Sequence, residues 1–314
     1  MRAVTVSEYG ATPLVSEVPV PEPGPGEIQV RLIAAGMNPL DALIADGFLK
    51  DGVEARFPLV LGVDGAGVVT GAGEGVTRFG VGEQVYGVFF GVPRGLGTYA
   101  EYTVAEADGP VALMPRGIVY SQAAALPTAA TAAHGLVEEA RLGIGGAVLV
   151  VGATGGVGQM AVQFARDRGA KVIATARSDM ADEMRYLGAD ATVDHSAGDL
   201  NRQVLAVHPG GVDAVLDLVS DRTAAEEIAQ ALKPGGVYLS TVHSLSPDAM
   251  EARGLRGVNF EYRPSAALLE RIAELVDDGK LVVRVTDQVS LEDAPEALAR
   301  LTHGGARGKT VVRP

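Results

Sequence analysis

The residues best suited to chemistry lie between Val148 and Ser178, where the chain reads VLVVGATGGVGQMAVQFARDRGAKVIATARS. An apolar run leads into Ala153, Thr154, Gly155, Gly156, Val157 and Gly158, then into a segment with apolar residues at helical spacing and a second apolar run. That order is strand, glycine turn, helix, strand, the setting in which backbone N–H groups approach a pyrophosphate at the positive end of a helix. It is the dinucleotide fingerprint, with Ala153 in the first glycine position. The end of the second strand decides which dinucleotide. An acid there would hold the ribose 2′-hydroxyl of NADH and repel a 2′-phosphate, whereas this chain has Ala176, Arg177 and Ser178. A guanidinium grips phosphate in bidentate fashion, with the serine hydroxyl beside it. NADPH is therefore the expected cofactor.

Such a turn needs a parallel sheet to hold it. From about Ser121, apolar runs at Ala147 to Val151, Lys171 to Thr175, Ala191 to Val193, Val212 to Asp217 and Gly236 to Ser240 alternate with helix-length segments. Strands alternating with helices imply right-handed βαβ units. The first third differs. PVPEPGPGE (Pro19 to Glu27) is a turn cluster, and EIQVRLI puts Ile28, Val30 and Leu32 on one face. Further strand candidates at Gly65 to Thr70, Gln84 to Phe90 and Thr98 to Val104 are bounded by glycines, and only Pro39 to Ala45 reads as helical. This predicts a twisted, barrel-like β-domain. After Arg263 come a helix (Ala266 to Asp277), a strand (Leu281 to Val285) and the terminal KTVVRP, a last strand able to complete either domain. At roughly 150 residues per domain, 314 residues suit two.

Composition removes several classes. The 26 Lys and Arg against 39 Asp and Glu leave a net charge of −13, which repels a phosphate backbone, so no nucleic acid is expected. The absence of cysteine removes disulfides, thiolate nucleophiles and thiolate metal sites. His134, His208, His243 and His303 have no metal-like spacing with carboxylates and read as structural or solvated. No apolar run reaches membrane-span length, and the N-terminus lacks a signal-peptide apolar region, so a cytoplasmic protein without a membrane partner is expected.

Beyond the fingerprint, seven strings run in order: AAGMNPLDALIADG (Ala34 to Gly47), PLVLGVDGAGVV (Pro58 to Val69), GTYAEYTVA (Gly97 to Ala105), LPTAATAAHGL (Leu126 to Leu136), VLDLVS (Val215 to Ser220), LKPGGVYLST (Leu232 to Thr241) and GGARGKTVV (Gly304 to Val312). Together they resemble the medium-chain dehydrogenase/reductase superfamily, and specifically its zinc-free quinone oxidoreductase branch. The resemblance implies an α/β fold in which a doubly wound Rossmann parallel sheet (119–262) is inserted in a GroES-like β-barrel catalytic domain (1–118 plus 263–314). By analogy it also implies a homodimer.

The resemblance assigns roles one position at a time. Zinc-dependent relatives carry a Cys ligand where this chain has Asn38 and a His ligand where it has Val63, so no metal is expected. Asn38 would lie beside the nicotinamide, orienting it or donating to a substrate oxygen. Asn38-Pro39-Leu40-Asp41 is equally a good helix start, with Asn at N-cap, Pro at N1 and an acid at N3. Thr128 and Thr131 would bring hydroxyls towards the nicotinamide, or else bond their own helix backbone. His195 would meet the adenosine phosphate or be a surface histidine without a role. Val219 and Val242 would line the carboxyl edge of the sheet or pack in the core. Lys309 would aim at the pyrophosphate or be solvated. Many quinone oxidoreductases have Tyr and Arg where this chain has Leu43 and Ala45, which implies a more apolar pocket.

The expected function is NADPH-dependent reduction of a quinone or of the C=C bond of an α,β-unsaturated carbonyl. Two alternatives remain at this point: an enoyl-thioester reductase of the same fold, and a non-enzymatic NADPH-binding protein.

Overall fold

Glycine and proline cut the first third of the chain into short strands in the computed structural model, which describes residues 1–302 and 307–314. His303 therefore lies outside the described residues. The early strands are β1 (Arg2–Val6), β2 (Leu14–Glu17), β3 (Glu27–Gly36), β4 (Leu59–Val60), β5 (Asp64–Ala72), β6 (Gln84–Val88), β7 (Tyr102–Glu106) and β8 (Val111–Leu113). Then come β9 (Ala147–Val151), β10 (Lys171–Thr175), β11 (Ala191–Val193), β12 (Val212–Asp217), β13 (Leu232–Ser240) and β14 (Arg256–Asn259), with β15 (Val285–Ser290) and β16 (Lys309–Arg313) last.

Contacts divide the described chain into two units. The first comprises Met1–Thr128, Pro264–Gly279 and Val283–Pro314. Its larger sheet runs β15-β16-β3-β5-β6-β8, with β7 also on β3. Ile28, Val30 and Leu32 of β3 are buried, as the alternation predicts. The terminal strand belongs here: β16 pairs antiparallel with β3, Val311 opposite Gly36. A Cβ on Gly36 would stand 2.1 Å from the Ala124 carbonyl oxygen, so this glycine lets helix α2 (Tyr120–Ala124) lie against the sheet; α1 (Pro39–Ala45) precedes it in the chain. Because α2 packs on β3 and β5, the first boundary follows Thr128 rather than Ile118.

The second unit comprises Ala129–Arg263 and Lys280–Val282. Its six strands are parallel, in the order β11-β10-β9-β12-β13-β14. Relabelled by appearance, that is 3-2-1-4-5-6, the doubly wound order that puts a crevice at the carboxyl ends of the first and fourth strands. Leu149, Ile173, Val215 and Tyr238 form part of its core. The strand expected at Leu281 to Val285 instead begins at Val285. The Gln163 side chain accepts from Val282 N (2.7 Å) and donates to its carbonyl (3.1 Å), satisfying that backbone without a ladder. Among the described residues no helix is long and apolar enough to cross a membrane.

Candidate active site

In the second unit, β9 ends at Val151 and Gly152 follows at φ +80°, a conformation L side chains rarely adopt. Its N–H donates to Thr175 Oγ1 (2.9 Å) at the end of β10, and a Cβ there would meet Val219 Cγ1 at 2.9 Å. Gly155 is the N-cap of α4, residues Gly156–Asp167; α3, residues Pro127–Ala140, lies earlier. A Cβ on Gly158 would fall 2.3 Å from the Gly152 oxygen and 2.6 Å from Ala153 Cα. Only glycine lets the first turn of α4 sit this close to the strand end. Ala153 is buried, whereas Thr154, Gly155, Gly156 and Val157 are half-buried and accessible to a ligand. First-turn N–H groups of a helix have no intrahelical carbonyl, and the dipole there favours an anion. The cradle thus fits a dinucleotide pyrophosphate.

Ala176 is buried at the end of β10, and Arg177 and Ser178 beyond it are exposed. His195 is exposed after β11, beside Asp194. Hydrogen bonds from the Ser196 hydroxyl and N–H, chiefly, hold the Asp194 carboxyl below its ordinary range, with smaller help from His195 and Arg177. Arg177 and His195 therefore share one edge. Val219 and Val242 are 64% and 45% exposed, which corrects the core-packing alternative and leaves them as apolar surface beyond β12 and β13. A residue outside the expected set holds the Val219 turn. Buried Asp217 accepts from Val219 N (3.1 Å) and Ser220 N (3.0 Å) through one oxygen and from the Tyr238 hydroxyl (2.6 Å) through the other.

In the first unit, Asn38 starts α1, but its side chain is not the cap. The Asn38 N–H donates to Asp41 Oδ2 (2.8 Å), so the acid at N3 closes the turn and frees the amide. Asn38 Nδ2 donates to Asp64 Oδ2 (2.9 Å), with a longer contact to the Gly36 carbonyl (3.4 Å). Its Oδ1 accepts from Lys309 Nζ at 2.6 Å. Lys309 is buried and also donates to the Met37 carbonyl (2.7 Å), its ammonium 4.0 Å from Asp64. This corrects the solvated alternative for Lys309, whose ammonium is buried and held by the Met37 carbonyl and the Asn38 amide oxygen.

Asp64 is the hub of the cluster. Its carboxylate accepts from Asn38 Nδ2, from Thr128 Oγ1 (2.7 Å) and from Thr128 N (3.1 Å to each oxygen). Thr128 N belongs to the first turn of α3, so Asp64 also caps that helix from across the fold. The Thr128 hydroxyl proton is thereby engaged by Asp64. Thr131, one turn further along α3, is buried.

Burial raises Asp64, and Lys309, Asn38 and Thr128 pull it back. Burial lowers Lys309, opposed by Asp64 and Asp41. Burial pushes Asp41 up to about 7, against hydrogen bonds from Tyr99 and the Asn38 backbone. The Tyr99 hydroxyl donates to Asp41 Oδ2 (2.6 Å) and is itself driven well above its ordinary range by burial and by Asp41. Asp41 Oδ1 has no hydrogen-bond partner. With three donors on Asp64 and a bare oxygen on Asp41, Asp41 is the acid of this cluster that takes up a proton more readily.

Asn38, Thr128 and Lys309 thus meet at Asp64, and the glycine turn, Arg177, Ser178, His195, Val219 and Val242 belong to the parallel-sheet unit. Asp64, Tyr99, Gly152 and Asp217 were not among the expected site residues. An acid inside an apolar strand, as in PLVLGVDGAGVV or VLDLVS, is the signal that could have found two of them. His134, 3.6 Å from Glu138 and edge-on to Phe164, is structural.

A parallel sheet in doubly wound order with a glycine cradle, in a chain that also forms a β-unit enclosing a polar cluster, defines a dinucleotide-dependent oxidoreductase architecture. Residues 24–116 match the alcohol dehydrogenase GroES-like domain and residues 187–312 match the zinc-binding dehydrogenase family. The chain is 29% identical to the chloroplastic NADPH-dependent alkenal/one oxidoreductase of Arabidopsis thaliana, over 100% of its own length and 80% of the relative's. It is 30% identical to the mitochondrial NAD(P)H oxidoreductase RTN4IP1 of Danio rerio, over 92% and 84%. The solved quinone oxidoreductase of Coxiella burnetii superposes with a TM-score of 0.89 at 26% identity, covering 100% of this chain and 99% of that one. The chain belongs to the medium-chain dehydrogenase/reductase superfamily.

Proposed function

We propose that this protein reduces quinones or the C=C bond of α,β-unsaturated carbonyls with NADPH, independently of zinc. The observation that carries the reading is the glycine cradle at Gly152, Gly155 and Gly158, in a chain related along its whole length to an NADPH-dependent alkenal/one oxidoreductase. When bound, NADPH would supply a hydride to the electron-poor carbon of the substrate, and a proton from solvent would complete the reduction. First-turn N–H groups of α4 would hold the pyrophosphate, Arg177 and Ser178 the 2′-phosphate, and His195 the adenosine side. Val219 and Val242 would offer apolar surface to the cofactor rings, and Thr131 would lie towards the nicotinamide, as the family resemblance implies. Asn38 is the catalytic residue of this proposal. Its Nδ2 proton on the long Gly36 contact is the one a substrate oxygen can recruit as negative charge builds there.

Support for zinc independence comes from the donor set. Asn38 and Val63 stand where zinc-dependent relatives place ligands, and an amide whose oxygen already accepts from Lys309 is a poor replacement for a thiolate. Among the described residues no group of three or more His, Cys, Asp or Glu is placed to hold a metal. A cytoplasmic homodimer is the proposed working state, resting on analogy with the family and checked by light scattering.

The test of function is NADPH absorbance during addition of a panel of quinones and enones. Absorbance should fall; an unchanged trace across the panel would reject the enzyme reading in favour of a cofactor-binding protein. Cofactor choice is tested separately. A charge-assisted contact contributes roughly 1.5–3 kcal/mol, so Arg177→Ala should weaken NADPH binding about 10- to 100-fold and leave NADH nearly unchanged. Equal affinities of the unmutated protein for both would overturn the 2′-phosphate assignment.

A further inference from the structure

We propose that Lys309 and Asp64 are positioning residues that lock the Asn38 amide in one orientation, Lys309 holding its oxygen and Asp64 its nitrogen. The inference rests on the reductase reading above and adds how its polar side chain is set.

An amide in a pocket has two orientations related by rotation about its last bond, nearly equal in shape and opposite in hydrogen bonding. The partners around Asn38 admit only one. An ammonium donates and never accepts, so Lys309 Nζ at 2.6 Å requires Oδ1 on its side. A carboxylate ringed by donors accepts, so Asp64 Oδ2 at 2.9 Å requires Nδ2 on its side. Turning the amide over would put N–H against N–H and oxygen against oxygen where little solvent can replace the lost bonds, since Asn38, Asp64 and Lys309 are all at most 5% exposed. Lys309 is anchored in turn by the Met37 carbonyl (2.7 Å), one residue before Asn38, and Asp64 by the Thr128 N–H and hydroxyl. The helix start takes no part in the choice, because Asp41 caps it. In the locked orientation the remaining N–H of Asn38 is left on its long contact to Gly36.

Lys309→Met combined with Asp64→Asn tests this. The pair removes both charges together, so no buried ion is left uncompensated. An asparagine at 64 that keeps its oxygen on Thr128 presents its own NH₂ to Asn38, which favours the reversed amide. The expected result is a melting temperature close to that of the unmutated protein, an NADPH dissociation constant within about twofold, and kcat at least tenfold lower with little change in substrate KM. Recovery of both melting temperature and kcat would show a purely structural ion pair and overturn the proposal. A tenfold or greater rise in the NADPH dissociation constant would restore Lys309 as a phosphate ligand and also overturn it. Should the double variant not fold, Lys309→Arg decides. A phosphate ligand or a bare charge tolerates arginine, whereas the larger guanidinium in the buried seat of the ammonium should displace the Asn38 amide, so kcat should fall at least tenfold with cofactor affinity retained. Turnover by the unmutated protein is the control: its absence would fail the reductase reading itself, whereas turnover retained in the variants would fail only this inference.

Discussion

Replacing Asp64 by alanine is expected to lower unfolding stability by about 3–5 kcal/mol, the range for removing one partner of a buried ion pair. The loss has three parts. The Lys309 ammonium keeps its place in the core without its counter-charge. Asn38 Nδ2 and the Thr128 hydroxyl lose their acceptor, and the first turn of α3 loses the carboxylate that caps it. Urea denaturation of Asp64→Ala against the unmutated protein measures this directly. A loss under 1 kcal/mol would mean that water or a rearranged side chain replaces the carboxylate, and the hub role would be wrong.

The second large effect is on the pH dependence of stability and arises at Asp41. Burial pushes its carboxyl from an ordinary value of 3.8 up to about 7 in the folded protein. Between those values the folded protein holds a proton that the unfolded chain has released, so stability falls as pH rises. The contribution is fully present below about pH 4 and lost by the time pH passes the folded value, a change of about 4 kcal/mol for a shift of this size. Asp41→Asn stays neutral throughout and keeps an oxygen for the Asn38 N–H and the Tyr99 hydroxyl. Relative to the unmutated protein it should therefore gain stability progressively between about pH 4 and pH 8. Parallel stability curves for the two proteins would show that Asp41 does not hold the proton.

How much of this was legible in the sequence depends on how far apart the partners lie. The glycine cradle was readable because strand, turn and helix adjoin, and Gly158 is required by contacts with Gly152 and Ala153 just upstream. The start of α1 was readable for the same reason, down to the acid at N3. The state of the Asn38 side chain was not, because its partners stand 26 and 271 residues away. Lys309 was misread for a related reason: a lysine opening a terminal strand looks solvated until pairing with β3 carries it inward. The strand expected at Leu281 failed because its backbone is satisfied by the side chain of Gln163, which no local periodicity reveals. Exposure of Val219 and Val242 was equally invisible, since apolar residues at strand ends serve the core and the ligand edge alike.

The most direct test of the central claim compares two initial rates on protein dialysed against a strong chelator: NADPH oxidation with quinones or conjugated enones, and NADP⁺ reduction with primary and secondary alcohols. An alcohol, a very weak acid, must lose a proton around hydride departure, and Asn38 with its lysine- and aspartate-bound amide offers no base for that step. A quinone or enone accepts hydride directly and needs a donor to the developing oxyanion and a proton from water. The first rate should survive chelation and exceed the second by orders of magnitude. Efficient alcohol oxidation, or loss of quinone and enone reduction on chelation with recovery on adding zinc, would contradict it.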